Sequence, residues 1–370
     1  MKTSAAVLFS QPGKWEVTEV DLDEPKANEV LVKIAAAGLC HSDDHLCTGD
    51  MPAMKLPLTG GHEGAGIVEA VGPNVTNVAP GDHVVLQFIP GCGRCRWCAS
   101  GQQNLCDSGA MLLAGCQLDG SFRMHKGGED IGQMAMVSTF SEYTIVPSIS
   151  CVKIPDDIPM AEACLVGCGV PTGWGSAVNG AEVAPGDVTI VMGVGGIGIN
   201  SVQGAKHAGA TRIIAVDPTP FKREMALQLG ATDAVETIQQ AAELAQELTN
   251  GQGADNVIVT IGVTRSEHIG QAFNAVRKGG TVAVVGLGPI SDQSIPISPF
   301  ILTLFQKRIQ GVLYGAMSPS KDMLRLLTMY QAGQLKLKEL VTRTYTLDQI
   351  NEGYADMHAG RNIRGVITFD

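Results

Sequence analysis

The chain has 370 residues, a formal net charge of −11 and ten cysteines. This length is too great for one ordinary domain and suits two. The negative charge and the lack of a Lys/Arg cluster argue against nucleic acid as a partner, and no apolar run approaches the ~18 to 20 residues that span a bilayer. The first residues, Met1-Lys2-Thr3-Ser4, do not begin a cleavable leader, so we expect a cytoplasmic protein without a membrane partner.

Short strands are predicted over the first 150 residues, for example at 30–34, 66–71 and 83–86. Turns rich in glycine and proline, such as Gly72-Pro73-Asn74, separate them. Strands at this spacing indicate a β-barrel-like unit.

The pattern changes after about residue 170. Apolar strands alternate with helices, and we predict the strands at 188–192, 212–216, 256–260 and 281–285. A helix is expected to run through Ala208 and another over 221–229. This alternation predicts a parallel sheet covered on both faces.

The C-terminal segment predicts helices over 321–331 and 347–358 and a final strand over 365–369. Because this segment follows the alternating region, we expect it to return to the first domain. Two domains are therefore predicted: a catalytic domain of residues 1–169 and 314–370, and a coenzyme domain of residues 170–313.

Four cysteines lie within a short stretch of the first domain: Cys92, Cys95, Cys98 and Cys106. Cysteines of a cytosolic chain stay reduced, so clustered ones more often bind metal than form disulfides. Bridges between cysteines three apart are sterically disfavoured. Neighbouring glycines, Gly91, Gly93 and Gly101, allow the backbone to wrap an ion. The spacing predicts a structural zinc held by four thiolates.

A second, dispersed set of metal ligands is predicted at Cys40, His62 and Cys168. Two thiolates and one imidazole would leave a fourth position of a tetrahedral zinc open for substrate, as a catalytic zinc requires. The remaining cysteines are predicted to be packing residues, because buried packing is the default for an isolated cysteine. They are Cys47, Cys116, Cys151 and Cys164.

A glycine motif follows the predicted strand at 188–192 and opens the next helix. Its residues are Gly193, Val194, Gly195, Gly196, Ile197 and Gly198. The first glycine permits a tight turn, the second lets the backbone approach a pyrophosphate and the last lets helix and strand pack closely. The helix N-terminus then offers free N–H groups to the phosphates. The alternative is a glycine turn in an α/β protein that binds no nucleotide.

Asp217 ends the next predicted strand, where an acidic side chain accepts hydrogen bonds from an adenosine ribose. Its carboxylate would repel a 2′-phosphate, and Pro218-Thr219 offers no adjacent arginine in compensation. Lys222 is placed to reach the ribose hydroxyls. The predicted coenzyme is therefore NAD rather than NADP.

An open zinc position and a hydride-accepting coenzyme together imply interconversion of alcohols and carbonyl compounds, because zinc lowers the pKa of a bound alcohol. Ser42 and His45 are expected to relay the proton from the alcohol, with His45 at an exposed position. Viewed alone, they could equally be a turn serine and a solvated histidine. Glu63, directly after a ligand, is expected to orient the ligands or to join them transiently. Asp43 and Asp44 are interpreted as local turn and hydrogen-bonding residues.

These motifs resemble those of the zinc-dependent medium-chain alcohol dehydrogenases over nearly the full length. The resemblance rests on the stretches 38–45, 61–66 and 166–169, the four-cysteine loop, the glycine motif with Asp217, and 363–365. It implies an α/β chain with a GroES-like, β-rich catalytic domain and a doubly wound Rossmann coenzyme domain. It also implies two zinc ions per chain, one catalytic and one structural, and NAD.

The same resemblance places His41 and Arg364 near the pyrophosphate and, less directly, Phe88 and Phe140 in the substrate pocket. It implies a homodimer or homotetramer associated through edge strands of the coenzyme domains. Residues 166–180, 200–223 and 341–345 are similar to the nicotinoprotein branch, which retains NAD(H) and is assayed with N,N-dimethyl-4-nitrosoaniline (NDMA).

Two alternatives remain at this point. The chain also resembles thiol-dependent formaldehyde dehydrogenases at 119–123 and 138–143, for which Asp50 and Arg123 would hold the charges of an S-hydroxymethyl thiol adduct. A zinc-stapled NAD-sensing protein, which is not an enzyme, would need no open metal position.

Overall fold

The computed structural model describes residues 1–369, which divide into two compact units. Unit 1 comprises residues 1–168 and 318–370, of which the last is not described, and unit 2 comprises residues 169–317. The sequence prediction puts these boundaries at 169/170 and 313/314.

The strands of residues 1–369 are, in chain order, β1 (Lys2–Leu8), β2 (Glu16–Leu22), β3 (Glu29–Gly38), β4 (Leu58–Thr59), β5 (Gly64–Val71), β6 (His83–Leu86), β7 (Met124–Lys126), β8 (Glu129–Gln133), β9 (Tyr143–Pro147), β10 (Cys151–Lys153), β11 (Val188–Met192), β12 (Arg212–Val216), β13 (Asp233–Val235), β14 (Ala254–Val259), β15 (Val276–Val284), β16 (Arg308–Gly311), β17 (Val341–Tyr345) and β18 (Arg364–Thr368).

The α-helices are α1 (His41–Thr48), α2 (Arg96–Ala99), α3 (Met160–Ala163), α4 (Gly169–Gly175), α5 (Gly198–Ala208), α6 (Pro220–Leu229), α7 (Ile238–Leu248), α8 (Ser266–Ala275), α9 (Pro299–Leu304), α10 (Pro319–Gln331) and α11 (Ile350–His358). No helix among the described residues is long and apolar enough to cross a membrane.

Unit 1 is rich in β structure, as the turn pattern predicts. Strands β1, β2, β7, β8 and β4 close into a barrel, and a second sheet has the order β10-β6-β5-β3-β18-β17, with β9 also paired to β3. The C-terminal strand β18 lies antiparallel to β3, so the last segment does return to the first unit.

Strand β3 is longer than the five residues predicted and continues through Ala35-Ala36-Ala37 to Gly38. Alanine favours helix, but here β5 pairs with one edge of this stretch and β18 with the other. Tertiary pairing thus overrides the local preference, and it delivers Cys40 to the end of a fixed strand.

Unit 2 contains a parallel sheet with the order β13-β12-β11-β14-β15-β16. Its central strands β11 and β14 are almost fully buried, which explains their continuous apolar runs. This is the strand order of a Rossmann dinucleotide-binding fold, and it confirms the predicted fold class.

Candidate metal centres and coenzyme site

The four-cysteine loop brings its sulfur atoms together. The ligand atoms of Cys92, Cys95, Cys98 and Cys106 all lie within 4.8 Å of one another. Two of the Sγ–Sγ distances, Cys92 to Cys98 and Cys95 to Cys106, are 3.9 and 4.0 Å. Sulfurs ~2.3 Å from a tetrahedral zinc stand about 3.8 Å apart, so the donor set fits that metal.

Backbone N–H groups of the loop point at the sulfurs. Cys95 N and Cys98 N lie 3.4 Å from the Sγ atoms of Cys92 and Cys95, respectively. Hydrogen bonds from the backbone N–H groups of Arg94 and Cys95 lower the pKa of Cys92 to about 6. These N–H groups favour the thiolate of Cys92, the form that a metal binds, whereas burial raises the pKa of Cys98 to about 12.

The dispersed set converges in the interior of unit 1. The ligand atoms of Cys40, His62 and Cys168 lie within 4.8 Å of one another, and all three residues are buried. Cys40 precedes α1, His62 lies in the link from β4 to β5, and Cys168 follows the 3₁₀ turn Cys164–Gly167. Three ligands of this kind fit a zinc whose fourth position is supplied from outside the protein.

Asp43, interpreted from sequence as a local turn and hydrogen-bonding residue, orients His62. Its Oδ2 lies 3.0 Å from His62 Nδ1, and its Oδ1 accepts a 2.7 Å hydrogen bond from Gly61 N–H. Burial lowers the pKa of His62, but the charges of Asp43 and Cys40 outweigh it and raise that pKa well above the ordinary value. With Nδ1 turned to the carboxylate, Nε2 is the nitrogen left for a metal. The spacing of Asp43 from Cys40 carries no signal for this contact.

Glu63 and Arg364 form a buried ion pair. Arg364 Nη2 contacts the Glu63 carboxylate and also lies 3.1 Å from the Leu39 carbonyl oxygen. Arg364 is 3% exposed, and the contacts of its guanidinium with Glu63 and Leu39 lie inside unit 1. Its predicted contact with a pyrophosphate stays a prediction. Glu63 is placed beside the His62 ligand, with its charge balanced by Arg364.

The predicted proton relay differs from the structure in one respect. Ser42 Oγ lies 3.8 Å from Cys40 Sγ, as its position two residues away suggests. His45, however, is 4% exposed rather than solvated, because helix α1 turns its side chain into unit 1. Its Nδ1 lies 3.4 Å from Asp50 Oδ2, and the Asp50 side chain is 35% exposed. A proton that passes through His45 would therefore reach solvent by way of Asp50.

The remaining predicted residues of unit 1 are Phe88, Phe140 and His41, and they lie in different surroundings. The ring of Phe88 stands edge-on to His62, with ring centroids 5.3 Å apart, next to the metal ligands. Phe140 is fully buried in the core, with its ring packed against Trp15 and Tyr354. It exposes no surface to a substrate, so its assignment to a pocket wall is not supported. His41 begins α1 and is half-buried.

In unit 2 the glycine motif forms the turn from β11 into α5. Gly193 has a φ of +90°, a conformation that side chains rarely adopt. A Cβ on Gly198 would clash with the Gly193 carbonyl oxygen and would lie 2.7 Å from Thr260 Oγ1. A Cβ on Gly195, in contrast, would have only Lys222 Nζ, at 4.0 Å, near it. Backbone atoms at Gly195 are thus open to a ligand.

Gly196 and Ile197 complete the turn before α5 begins, and Asn200 Nδ2 donates to the Gly196 carbonyl oxygen at 2.9 Å. Asp217 is buried at the end of β12, where its carboxylate accepts hydrogen bonds from the N–H groups of Val194 and Thr219 at 3.1 and 2.9 Å. The carboxylate therefore fixes the glycine turn.

An arginine does lie beside Asp217, contrary to the sequence interpretation. Arg223 Nη1 donates to the carbonyl oxygens of Asp217 and Pro218 at 2.7 and 3.0 Å. It comes from helix α6, so inspection of the two residues after Asp217 could not find it. Its contacts are with backbone oxygens and not with the Asp217 carboxylate.

Comparison with known proteins agrees with this geometry. Residues 26–156 match the model of the alcohol dehydrogenase GroES-like domain, and residues 196–329 match that of the zinc-binding dehydrogenases. The NDMA-dependent alcohol dehydrogenase of Amycolatopsis methanolica is 53% identical over 99% of both chains.

The chain belongs to the zinc-dependent medium-chain alcohol dehydrogenase family.

Other members of the family match over the same length. Alcohol dehydrogenase B of Mycobacterium tuberculosis (strain H37Rv) is 47% identical over 100% of this chain and 99% of its own. The crystal structure of benzyl alcohol dehydrogenase from Acinetobacter calcoaceticus superposes with a TM-score of 0.92 at 31% identity and covers all of both chains. The chain is thus an alcohol oxidoreductase that uses zinc, a nicotinamide coenzyme and small-molecule substrates.

Proposed function

We propose that this alcohol dehydrogenase holds two zinc ions and NAD and oxidises alcohols at the centre formed by Cys40, His62 and Cys168. The convergence of these three buried ligands, with Asp43 behind His62, is the observation that carries the proposal. When bound there, zinc would act as a Lewis acid that lowers the pKa of an alcohol. Unit 1 would be the catalytic domain and unit 2 the NAD-binding domain.

The side chains around this centre have distinct proposed roles. Asp43 fixes the tautomer and orientation of His62, so that the ligand is held before substrate arrives. The buried ion pair of Glu63 and Arg364 lies beside the ligands without adding net charge there. Ser42 takes the alcohol proton, and His45 passes it to Asp50, whose side chain reaches solvent.

The proposed coenzyme is NAD, supported by the Asp217 carboxylate at the end of β12, where it would accept hydrogen bonds from a ribose and repel a 2′-phosphate. Lys222 Nζ lies above Gly195, on the side of the turn that is open to a ligand. Titration of metal-loaded protein with NAD and with NADP tests this assignment. Tighter binding of NADP would contradict it.

Metal analysis is the experiment that tests the function as a whole. Active protein should contain two zinc ions per chain, and the Cys40→Ala variant should contain one and lose activity. A non-enzymatic NAD sensor would need no open metal position, so its Cys40→Ala variant should still bind NAD and signal. Two zinc ions with NAD binding but no alcohol oxidation would contradict the proposed function.

The nicotinoprotein character is a further proposal, supported by the 53% identity to an NDMA-dependent relative. An absorbance spectrum of extensively dialysed protein, recorded before and after addition of an alcohol, tests it. A reduced-nicotinamide band that forms without added NAD supports a permanently bound coenzyme. Dependence of the band on added NAD would contradict it.

The thiol-dependent formaldehyde dehydrogenase is disfavoured by the contacts of Arg123. This side chain is fully buried, and its guanidinium binds Glu29 at 2.6 Å and Asp119 at 2.8 Å. Asp50 in turn faces His45. Arg123 therefore offers no charge to a thiol adduct.

We also propose that a second copy of the chain pairs at strand β16. This strand is the edge of the unit 2 sheet and is largely exposed. The adjoining helix α9 presents Phe300 and Leu304, which are 69% and 60% exposed, beside this edge. An open edge with apolar neighbours is a pairing surface. Sedimentation equilibrium should give a dimer or a multiple of it, and Phe300→Asp should weaken the association.

A further inference from the structure

A strained segment of unit 1 contacts the chain that carries His62. Residues 134–142 connect β8 to β9, and we call residues 134–140 of this connection the supporting segment. Three of them have positive φ although none is glycine: Ala135 at +53°, Met136 at +63° and Ser138 at +40°. Such conformations persist only where the surroundings determine them, and they cluster at functional sites.

Buried side chains hold the strained segment through its carbonyl oxygens. Gln117 Nε2 donates to Met136 O at 3.2 Å, Thr144 Oγ1 to Val137 O at 2.7 Å, and Ser141 Oγ to Ser138 O at 3.0 Å. Gln133 links the first two of these donors. Its Oε1 accepts a hydrogen bond from Gln117 Nε2 at 3.0 Å, and its Nε2 donates to Thr144 Oγ1 at 3.1 Å. All four side chains are at least nine-tenths buried. Three consecutive carbonyl groups are thus held by buried donors.

The last residues of the supporting segment contact the link that contains His62. Residues 60–63 lie between β4 and β5 and form no strand, so their backbone groups need other partners. Thr139 N and Phe140 N donate to the carbonyl oxygens of Gly61 and Gly60 at 2.9 and 3.0 Å. Thr139 Oγ1 lies 3.3 Å from Glu63 O.

The side chain of Thr139 also fits between two glycines on either side of His62. A Cβ on Gly61 would lie 2.5 Å from Thr139 Oγ1, and a Cβ on Gly64 would clash with Thr139 Cγ2. Thr139 thereby fixes the peptide groups on either side of the His62–Glu63 pair, Gly61–His62 and Glu63–Gly64, by shape as well as by hydrogen bonds.

We infer that Thr139, held by the Gln117–Gln133–Thr144 network, is a positioning residue for the metal ligand His62. The inference rests on the proposed zinc centre at Cys40, His62 and Cys168. Asp43 sets the rotation of the imidazole ring, whereas Thr139 sets the position of the backbone that bears it. Both are needed because a metal site tolerates errors of only about 0.5 Å in its ligands.

The test compares Thr139→Val with Thr281→Val in the zinc-loaded protein. Both substitutions replace a buried threonine hydroxyl by a methyl group, but Thr281 lies on β15 in unit 2. The measurement is the rate at which pyridine-2,6-dicarboxylate removes zinc, with the thermal unfolding midpoint recorded in parallel. Thr139→Val should lose the zinc of the His62 centre about tenfold faster than the wild type, and Thr281→Val should not.

Two further variants distinguish a specific effect on His62 from a general destabilisation of the fold. Thr139→Ser retains the hydroxyl and should restore most of the slow zinc release. Gln117→Met removes the donor to Met136 O, one step farther from the metal, and should accelerate zinc release to a smaller degree. Zinc release by Thr139→Val at the wild-type rate would overturn the inference while leaving the zinc centre intact. A wild-type protein that holds only one zinc would instead overturn the proposed centre, and the inference with it.

Discussion

The two cysteine sets of unit 1 place the same ligand chemistry in opposite surroundings. Cys92, Cys95 and Cys98 are partly exposed on one loop, and backbone N–H groups of that loop stabilise their sulfurs. Cys40 and Cys168 are buried, distant in sequence, and accompanied by charged side chains from several elements. A local set can stabilise a fold around a metal, whereas a dispersed set requires the fold first and can leave a ligand position open.

The largest expected effect is the loss of activity when a ligand of the dispersed set is removed. Cys40→Ala should reduce kcat/KM about a thousandfold, because a Lewis-acid metal contributes several kcal/mol to transition-state stabilisation. The thermal unfolding midpoint should change little, since the four-cysteine loop is untouched. Steady-state kinetics with metal analysis check this. Retention of activity with one zinc per chain would place the reaction elsewhere.

A substitution in the four-cysteine loop should instead lower the stability of the fold. Cys95→Ser removes one ligand of the exposed set and should lower the thermal unfolding midpoint by about 10 °C, as loss of a structural metal typically does. Activity per folded molecule at low temperature should persist. Calorimetry checks the first result. An unchanged midpoint would show that the loop does not depend on metal.

A smaller effect is expected from Asp43→Asn. The amide can still accept from Gly61 N–H, but its NH₂ group would face His62 Nδ1 and favour the wrong tautomer. Zinc affinity and kcat should fall about 10- to 100-fold. Asp44→Asn is the matched control, because Asp44 is buried beside it but contacts His358 instead. Equal losses in both variants would refute a specific role for Asp43.

The smallest effect concerns cysteines outside both sets. Burial and the nearby Asp44 and Asp43 carboxylates raise the pKa of Cys47 to about 12, and burial raises that of Cys151 to about 12. Because the thiolate is the nucleophile, both should resist iodoacetamide in the folded protein up to about pH 9. Mass spectrometry of labelled peptides checks this. Rapid labelling of Cys47 would contradict the packing interpretation.

Features that are local in sequence could be predicted from it. The spacing of the four cysteines, the alternation of strands and helices, and the glycine motif followed by Asp217 each lie within one stretch of chain. Strand β6 and strand β12 have the predicted limits, and α5 ends at Ala208 as expected. The burial of His45 and Phe140 could not be read from the sequence, because it depends on elements distant in the chain.

The sequence by itself determined the fold class and the chemistry of the ligands, because hydrophobic periodicity and ligand spacing follow from local backbone geometry. Only the tertiary structure decided which charged groups meet. Glu63 and Arg364 are 301 positions apart and Asp43 and Gly61 are 18 apart, yet both pairs are buried contacts. In the low-dielectric interior a charged group is stable only beside an opposite charge or a hydrogen-bond partner. Long-range packing brings these partners together.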